Sequence, residues 1–370
     1  MNKTPKLKKL VIKPTLLCSG NCKTCSYRKS LHHKLRKETW LTFKDWEKVL
    51  EDGSELGVKI LGISGGEPTL CKFLPELIRV GKNYGWKVKM NSNGGIITED
   101  YAEKLINCGL DEIKISLYSS RPEINDIMRG SVGMWKKTVF AIRIWAKMQK
   151  KYPNFKLTTQ TLICRENYQN LPRLIQLHRE LGSVRVDISY LEGDFKKENL
   201  LNAHEIIAFK EKILPKLIKY CHNFDTRIRR MAITKIDSLY SKKLRSIAQW
   251  EKGEYQSFAN GSSKCKTSQS FAMILANGDI LPCQIVEYTH QPIMGNVKRK
   301  KLSEIWRNKK WALYRKRGHE KCSLCPIHLH ISLPLQYIPK YSGVIDFAYW
   351  KLKEIYYSEL VKKLKFLFLE

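Results

Sequence analysis

Residues 18–25 read CSGNCKTC, a C-x3-C-x2-C pattern that places three thiols within eight residues. The number is informative. A structural zinc is closed by four ligands, and a disulfide framework uses cysteines in pairs. Three thiolates leave one position of a metal centre open. They suit three irons of a cubane cluster, or a zinc site completed by a fourth ligand such as His32 or His33.

The motif sits just after a short apolar run, Lys9–Pro14, the first of six strand-like segments. The others are Val58–Ser64, Trp86–Asn91, Glu112–Leu117, Leu157–Cys164 and Val184–Tyr190. Between them the apolar spacing becomes helical over Thr42–Gly57, Phe73–Gly85, Thr98–Gly109, Gly133–Lys151 and Asn170–Gly182. Glycines 57, 85, 109 and 182 each stand where a helix would stop. Such a βα rhythm predicts an α/β fold with a parallel sheet and right-handed crossovers, either an open doubly wound sheet or a partial barrel. In both, chemistry collects at the carboxyl ends of the strands. The cysteine motif follows the first strand, SGGEP (64–68) the second and NSNG (91–94) the third, while Ser116 ends the fourth. All four therefore reach one rim.

Lys and Arg number 67 against 35 acidic residues, a net charge of +32. The excess is concentrated: residues 298–317 carry ten basic side chains and one Glu, and residues 227–252 carry eight against two acids. Such a field attracts anions, whether phosphorylated molecules, nucleic acid or an anionic leaflet, and it is equally what solvated helix faces produce. No run of eighteen apolar residues marks a membrane span. The first residues lack the apolar core of a secretory signal, and eleven cysteines without one suggest a reducing compartment, so a cytoplasmic location is expected.

Gly65 and Gly66 allow close backbone approach to a ligand, and their carbonyls with Glu67 can accept hydrogen bonds from an ammonium group. Together, C-x3-C-x2-C, GGEP, NSNG and Ser116 resemble the layout of the radical S-adenosylmethionine (radical SAM) enzymes over residues 8–192. The resemblance implies a partial (β/α)6 TIM-like barrel over 1–192. It also implies a [4Fe–4S] cluster on Cys18, Cys22 and Cys25, with SAM chelated by the open iron and cleaved to a 5′-deoxyadenosyl radical. Gly65, Gly66, Glu67, Ser116 and Arg129 become the SAM contacts, the last suited to a carboxylate by its bidentate fork. Thr24 stands where many members have an aromatic residue, so the adenine contact is expected from elsewhere, with Tyr27 as a candidate.

After a helical connector (193–260) the texture changes. FAMILANGDILPC reads as a hairpin about Asn277-Gly278, followed by a helix near Leu302–Arg315. Cys265, Cys283, Cys322 and Cys325 could close a zinc ribbon or a cluster. Their C-x12-G-x4-C…C-x2-C spacing resembles the SPASM extension of radical SAM enzymes in its shorter, single-cluster twitch form, which implies a small α+β domain (261–330) with an auxiliary [4Fe–4S] cluster. Residues 331–370 read as an amphipathic tail that docks on the protein, peripheral membrane contact being the alternative.

A fully ligated auxiliary cluster suits electron transfer, so the first expectation is an oxidoreductase that dehydrogenates a small anionic or carbohydrate-like substrate. Peptide maturation is the alternative, made less favoured by only seventeen residues before Cys18, where a peptide-recognition domain often stands. Modification of a lipid or lipid-linked sugar follows, and a basic metal-containing binder without catalysis comes last; nucleic acid is not expected as partner. A reductant such as flavodoxin or ferredoxin is implied. Cys164 at the end of strand five could donate hydrogen to a substrate radical, although a buried apolar cysteine is the commoner role. Asp187 on strand six is a candidate base, and His328 and His330 read as solvated loop residues.

Overall fold

The computed structural model describes residues 4–25, 40–190, 199, 201–221, 267–283, 293–317 and 331–335. Tyr27, His32, His33, Cys265, Cys322, Cys325, His328 and His330 lie outside the described residues, as do the basic stretch 227–252 and the tail from 336.

The six expected strands form: β1 (Lys9–Ile12), β2 (Ile60–Ile63), β3 (Lys87–Ser92), β4 (Leu110–Ser116), β5 (Lys156–Ile163) and β6 (Arg185–Tyr190). They pair in parallel in chain order. Helices α1 (Phe43–Glu55), α2 (Leu74–Asn83), α3 (Glu99–Asn107), α4 (Pro122–Arg129), α5 (Met134–Lys151) and α6 (Leu171–Glu180) fill the crossovers. α1 shows how locally these are encoded. Thr42 and Asp45 form a reciprocal capping box, and Trp46, Val49, Leu50 and Gly53 place a buried stripe at helical spacing. Burial of side chains such as Trp46 and Leu50 stabilises the fold by about 1.5–3 kcal/mol each. The four glycines read as helix stops all have positive φ.

The sheet continues at both ends in the order β10-β6-β5-β4-β3-β2-β1-β7-β8-β9, so the barrel is partial and not closed. β7 (Phe271–Ile274) runs parallel to β1, and β8 (Asp279–Leu281) returns antiparallel through the expected Asn277-Gly278 turn. β9 (Gly295–Asn296) borders β8, and β10 (Ile331–Pro334), at the start of the stretch read as tail, lies antiparallel on β6. The helix expected near Leu302–Arg315 is two helices, α7 (Leu302–Arg307) and α8 (Lys309–Arg317). Asn308 breaks it by adopting an extended conformation and capping α8 through its Oδ1, which accepts from Trp311 N at 2.7 Å. α7 is anchored to the barrel: Asp52 of α1 accepts from Ser303 N at 2.7 Å, and Trp306 Nε1 donates to Pro5 O at 2.8 Å. No helix among the described residues is long and apolar enough to cross a membrane.

Strand residues alternate between two faces. Leu10, Ile12, Leu61, Val88, Ile113, Ile115, Leu157, Val186 and Ile188 are buried in the main apolar core. The opposite, inward face is polar. Ion pairs join Lys89 to Glu112 (2.6 Å), Arg185 to Glu112 (3.0 Å) and Lys114 to Asp187, the last two spanning from β4 to β6 across β5.

Candidate functional site at the strand termini

The chain leaving β1 is clamped against the GGEP turn. Gly66 N donates to Thr15 O at 2.9 Å and Glu67 N to Leu17 O at 2.6 Å. A Cβ on Gly66 would lie 2.2 Å from Leu17 O and 2.5 Å from Leu16 O. The close neighbour of this glycine is thus the protein's own cysteine-bearing segment, where the sequence suggested a ligand.

The cysteine loop then docks on the end of α4. Asn21 N donates to Arg129 O (2.9 Å) and Lys23 N to Met128 O (3.1 Å), satisfying helix-end carbonyls that would otherwise be orphaned. Gly130 closes α4 in the left-handed region at φ +57°, against Asn21. Asp126 secures the following turn by accepting from Gly133 N (2.6 Å) and Trp135 N (2.7 Å) at the start of α5.

Glu67 is fully buried, and its carboxylate is engaged by protein donors. Oε1 accepts from Ser92 Oγ (2.9 Å), Thr69 Oγ1 (2.8 Å) and Thr69 N (3.2 Å), and Oε2 from Asn93 N (2.6 Å). Burial pushes its pKa up, and these donors oppose the shift. The side chain therefore ties the GGEP turn to the NSNG turn, and its Oε2 retains accepting capacity for one further donor. Asn93 is the hub. Its Nδ2 donates to Ser19 Oγ (3.1 Å) and lies 3.5 Å from Cys18 Sγ, its Oδ1 accepts from Gly95 N (2.6 Å), and its carbonyl accepts from Thr138 Oγ1 (3.0 Å) and Arg129 Nη2 (3.3 Å).

Arg129 is 2% exposed and forms no ion pair among the described residues; its Nε has no hydrogen-bond partner there. Its guanidinium lies 4.9 Å from the Tyr118 ring centroid. Burial works against its charge, but Cys22, Tyr118, Cys18 and Glu67 outweigh that and raise its pKa. A buried guanidinium with an unpartnered N–H has the chemistry to take a carboxylate. Ser116, on the inward face of β4, lies beside Tyr118, whose hydroxyl pKa is raised by burial and opposed by Arg129 and the Ser116 side chain.

None of the described cysteines forms a disulfide; Cys18 is exposed, with Cys22 and Cys25 half-buried. Among the described residues no three His, Cys, Asp or Glu side chains converge on a single ion. A cubane would take each of these thiolates on a different iron. Gly20 N donates to Cys18 Sγ at 3.4 Å. The donor set fits a cluster, and Arg129 fits a carboxylate beside it.

Cys164 is fully buried, its sulfur 3.6 Å from Asn167 Oδ1 and 4.0 Å from Met128 Sδ, and burial followed by Glu166 pushes its pKa far up. That is a packed core thiol. Asp187 faces inward, held by Lys114 and Arg185 (3.3 Å). Of the four later cysteines only Cys283 is described; it packs with Cys25 against one apolar cluster of Leu16, Phe271, Met273, Leu275 and Leu281. Sequence reasoning missed Asn93, Thr69, Ser92 and Tyr118 as parts of this site. For Asn93 the signal was present, because NSNG had been placed on the rim without a role.

A family model of the radical SAM superfamily matches residues 12–178, and a model of the SPASM iron–sulfur cluster-binding domain matches 265–326. The chain belongs to the radical SAM superfamily. The two models imply [4Fe–4S] clusters and S-adenosylmethionine as the cofactors of this radical SAM enzyme. It is 25% identical over 302 residues to an AdoMet-dependent heme synthase of Methanosarcina barkeri, covering 77% of this chain and 79% of that protein. It is also 25% identical over 333 residues to a PqqA peptide cyclase of Xanthomonas campestris pv. campestris, covering 88% and 81%. Among solved structures, Streptococcus suis SuiB bound to precursor peptide SuiA has the same fold, with a TM-score of 0.57 and 19% identity over 88% of this chain and 70% of that one.

Proposed function

We propose that this radical SAM enzyme modifies a peptide. The observation that carries the reading is the similarity to PqqA peptide cyclase, which extends over 88% of the chain and thus beyond the barrel into the C-terminal cluster-binding region. This similarity supports peptide maturation better than the small carbohydrate-like substrate that the sequence put first.

In this reading Cys18, Cys22 and Cys25 hold the first cluster, and Cys265, Cys283, Cys322 and Cys325 the auxiliary one. When bound, the first cluster and SAM supply hydrogen-atom abstraction initiated by reductive cleavage of SAM. The chain's own residues position and shield. Arg129 offers its buried guanidinium to the SAM carboxylate, with Tyr118 stacked on it. Carbonyls of the GGEP turn face the ammonium, and Ser116 presents a hydroxyl from β4. Glu67 and Asn93 keep the three rim segments in register, so that the cysteine loop and the SAM contacts move as one body. Electrons come from a donor of the flavodoxin or ferredoxin class.

The test is to reconstitute the protein anaerobically and supply SAM, reductant and either short peptides encoded beside its gene or a panel of sugars. The reading predicts 5′-deoxyadenosine formation stimulated by a peptide, together with a mass change in that peptide. Stimulation by a sugar and by no peptide would overturn it.

A further inference from the structure

Closed β/α barrels fill their interior with branched apolar side chains. Here the inward face carries Lys9, Lys89, Lys114 and Arg185 against Glu112 and Asp187. Both carboxylates are already shared. Glu112 accepts from Lys89 and Arg185, and Asp187 is held by Lys114 and Arg185. Lys9 forms no ion pair among the described residues; its ammonium lies 5.7 Å from the Phe271 ring centroid. Burial, Lys114 and Lys89 all disfavour its charge, with Glu112 a smaller opposing influence. Lys13, four positions further along the chain and just past β1, is also buried. A lattice serving only structure would balance its charges or replace them with apolar side chains of similar volume. A buried face with an excess of cations instead favours an anionic ligand.

Its location is suggestive. Lys114 is one inward position below Ser116 on β4, about 7 Å deeper than the rim. Gln160 is paired in register with both Ser116 and Asp187. The charged layer therefore begins directly beneath the strand termini.

We propose that the inner face of the barrel, with Lys114 and Lys9 as its principal cations, binds a carboxylate of the substrate, supplied by an acidic residue of the peptide. The carrier rests on the peptide reading, whereas the anion site does not. Removing Lys9 breaks no ion pair, so Lys9→Met should keep its thermal midpoint. Removing Lys114 leaves Asp187 paired with Arg185.

The experiment measures binding of triglutamate, triglutamine and inorganic pyrophosphate to the reconstituted protein by calorimetry, without turnover. It compares wild type with Lys114→Met, Lys9→Met and, as control, Lys8→Met, whose side chain is exposed. Triglutamate should bind, weaken roughly tenfold or more in the Lys114 and Lys9 variants, and be unaffected in the control; triglutamine should not bind. Equal binding of triglutamine, or triglutamate binding unchanged in both inward variants, overturns the site. Lys114-dependent binding of pyrophosphate with none of triglutamate overturns the peptide carboxylate while keeping an anion site. If Lys114→Met does not fold, Lys9→Met decides.

Discussion

Replacing Gly130 by Ala probes the join between the cysteine loop and the barrel. Gly130 adopts φ +57° and ψ +34°, and a side chain in that region costs about 1–2 kcal/mol. The added Cβ would also lie 2.0 Å from Asn21 O and 2.7 Å from Asn21 C, so the loop backbone must withdraw by about 1.5 Å to reach ordinary contact. That withdrawal stretches the bonds from Asn21 N to Arg129 O and from Lys23 N to Met128 O, each contributing about 1 kcal/mol. The sum is about 3–4 kcal/mol, and roughly half falls on residues 21–23 of the loop, which include Cys22. Gly133→Ala is the matched control, because Gly133 has φ +76° but nothing within 4 Å of the added Cβ. The assay is urea denaturation with iron counting after anaerobic reconstitution. Gly130→Ala should lose about two to three times as much stability as Gly133→Ala, and it alone should lose iron. Equal destabilisation of the two variants with full iron in both would refute the reasoning.

Three further perturbations follow. Arg129→Met should weaken SAM binding about 10- to 100-fold in equilibrium dialysis while the circular dichroism spectrum is unchanged, since a charge-assisted bond contributes about 1.5–3 kcal/mol; unaltered affinity would remove Arg129 from the SAM site. Glu67→Gln puts an amide NH2 among donors that all point at the carboxylate, and should cost about 1–3 kcal/mol in urea denaturation; a neutral result would mean the network can repack. His178 is fully buried, and burial, opposed weakly by the Leu117 backbone, pushes its pKa down to about 3 from 6.5. The unfolded chain therefore binds the extra proton between those values, so stability falls as pH falls, by about 2 kcal/mol at pH 5 relative to pH 7.5. His178→Leu should remove that part of the pH dependence, and an identical slope in the variant would count against it.

The strands and most helices were legible because each carries its pattern locally: Leu10 and Ile12 alternate with Lys9 and Val11, and Trp46, Val49 and Leu50 repeat at helical spacing. Helix α4 was missed, although Pro122 at its first turn and Gly130 at its end are ordinary boundary signals, because eight residues show little more than two turns of periodicity. The parallel pairing of Phe271–Ile274 with β1 joins segments far apart in sequence, which no local pattern encodes. The site divides the same way. GGEP and the three cysteines announce themselves by spacing, but Glu67's engagement with Ser92 and Asn93 depends on two turns meeting in space. The charged interior was spelled out as Lys89 alternating with Val88 and Met90, and as Glu112 and Lys114 flanking Ile113. Which face looked inward awaited the fold.

The central claim is that Cys18, Cys22 and Cys25 carry the cluster that cleaves SAM. Its most direct test is iron and sulfide content of the anaerobically reconstituted protein, with 5′-deoxyadenosine formation under chemical reduction, in wild type and in the Cys18→Ala/Cys22→Ala/Cys25→Ala variant. About eight irons falling to about four, with deoxyadenosine formation abolished, is the predicted result. Undiminished iron and continued SAM cleavage in the triple variant would contradict it.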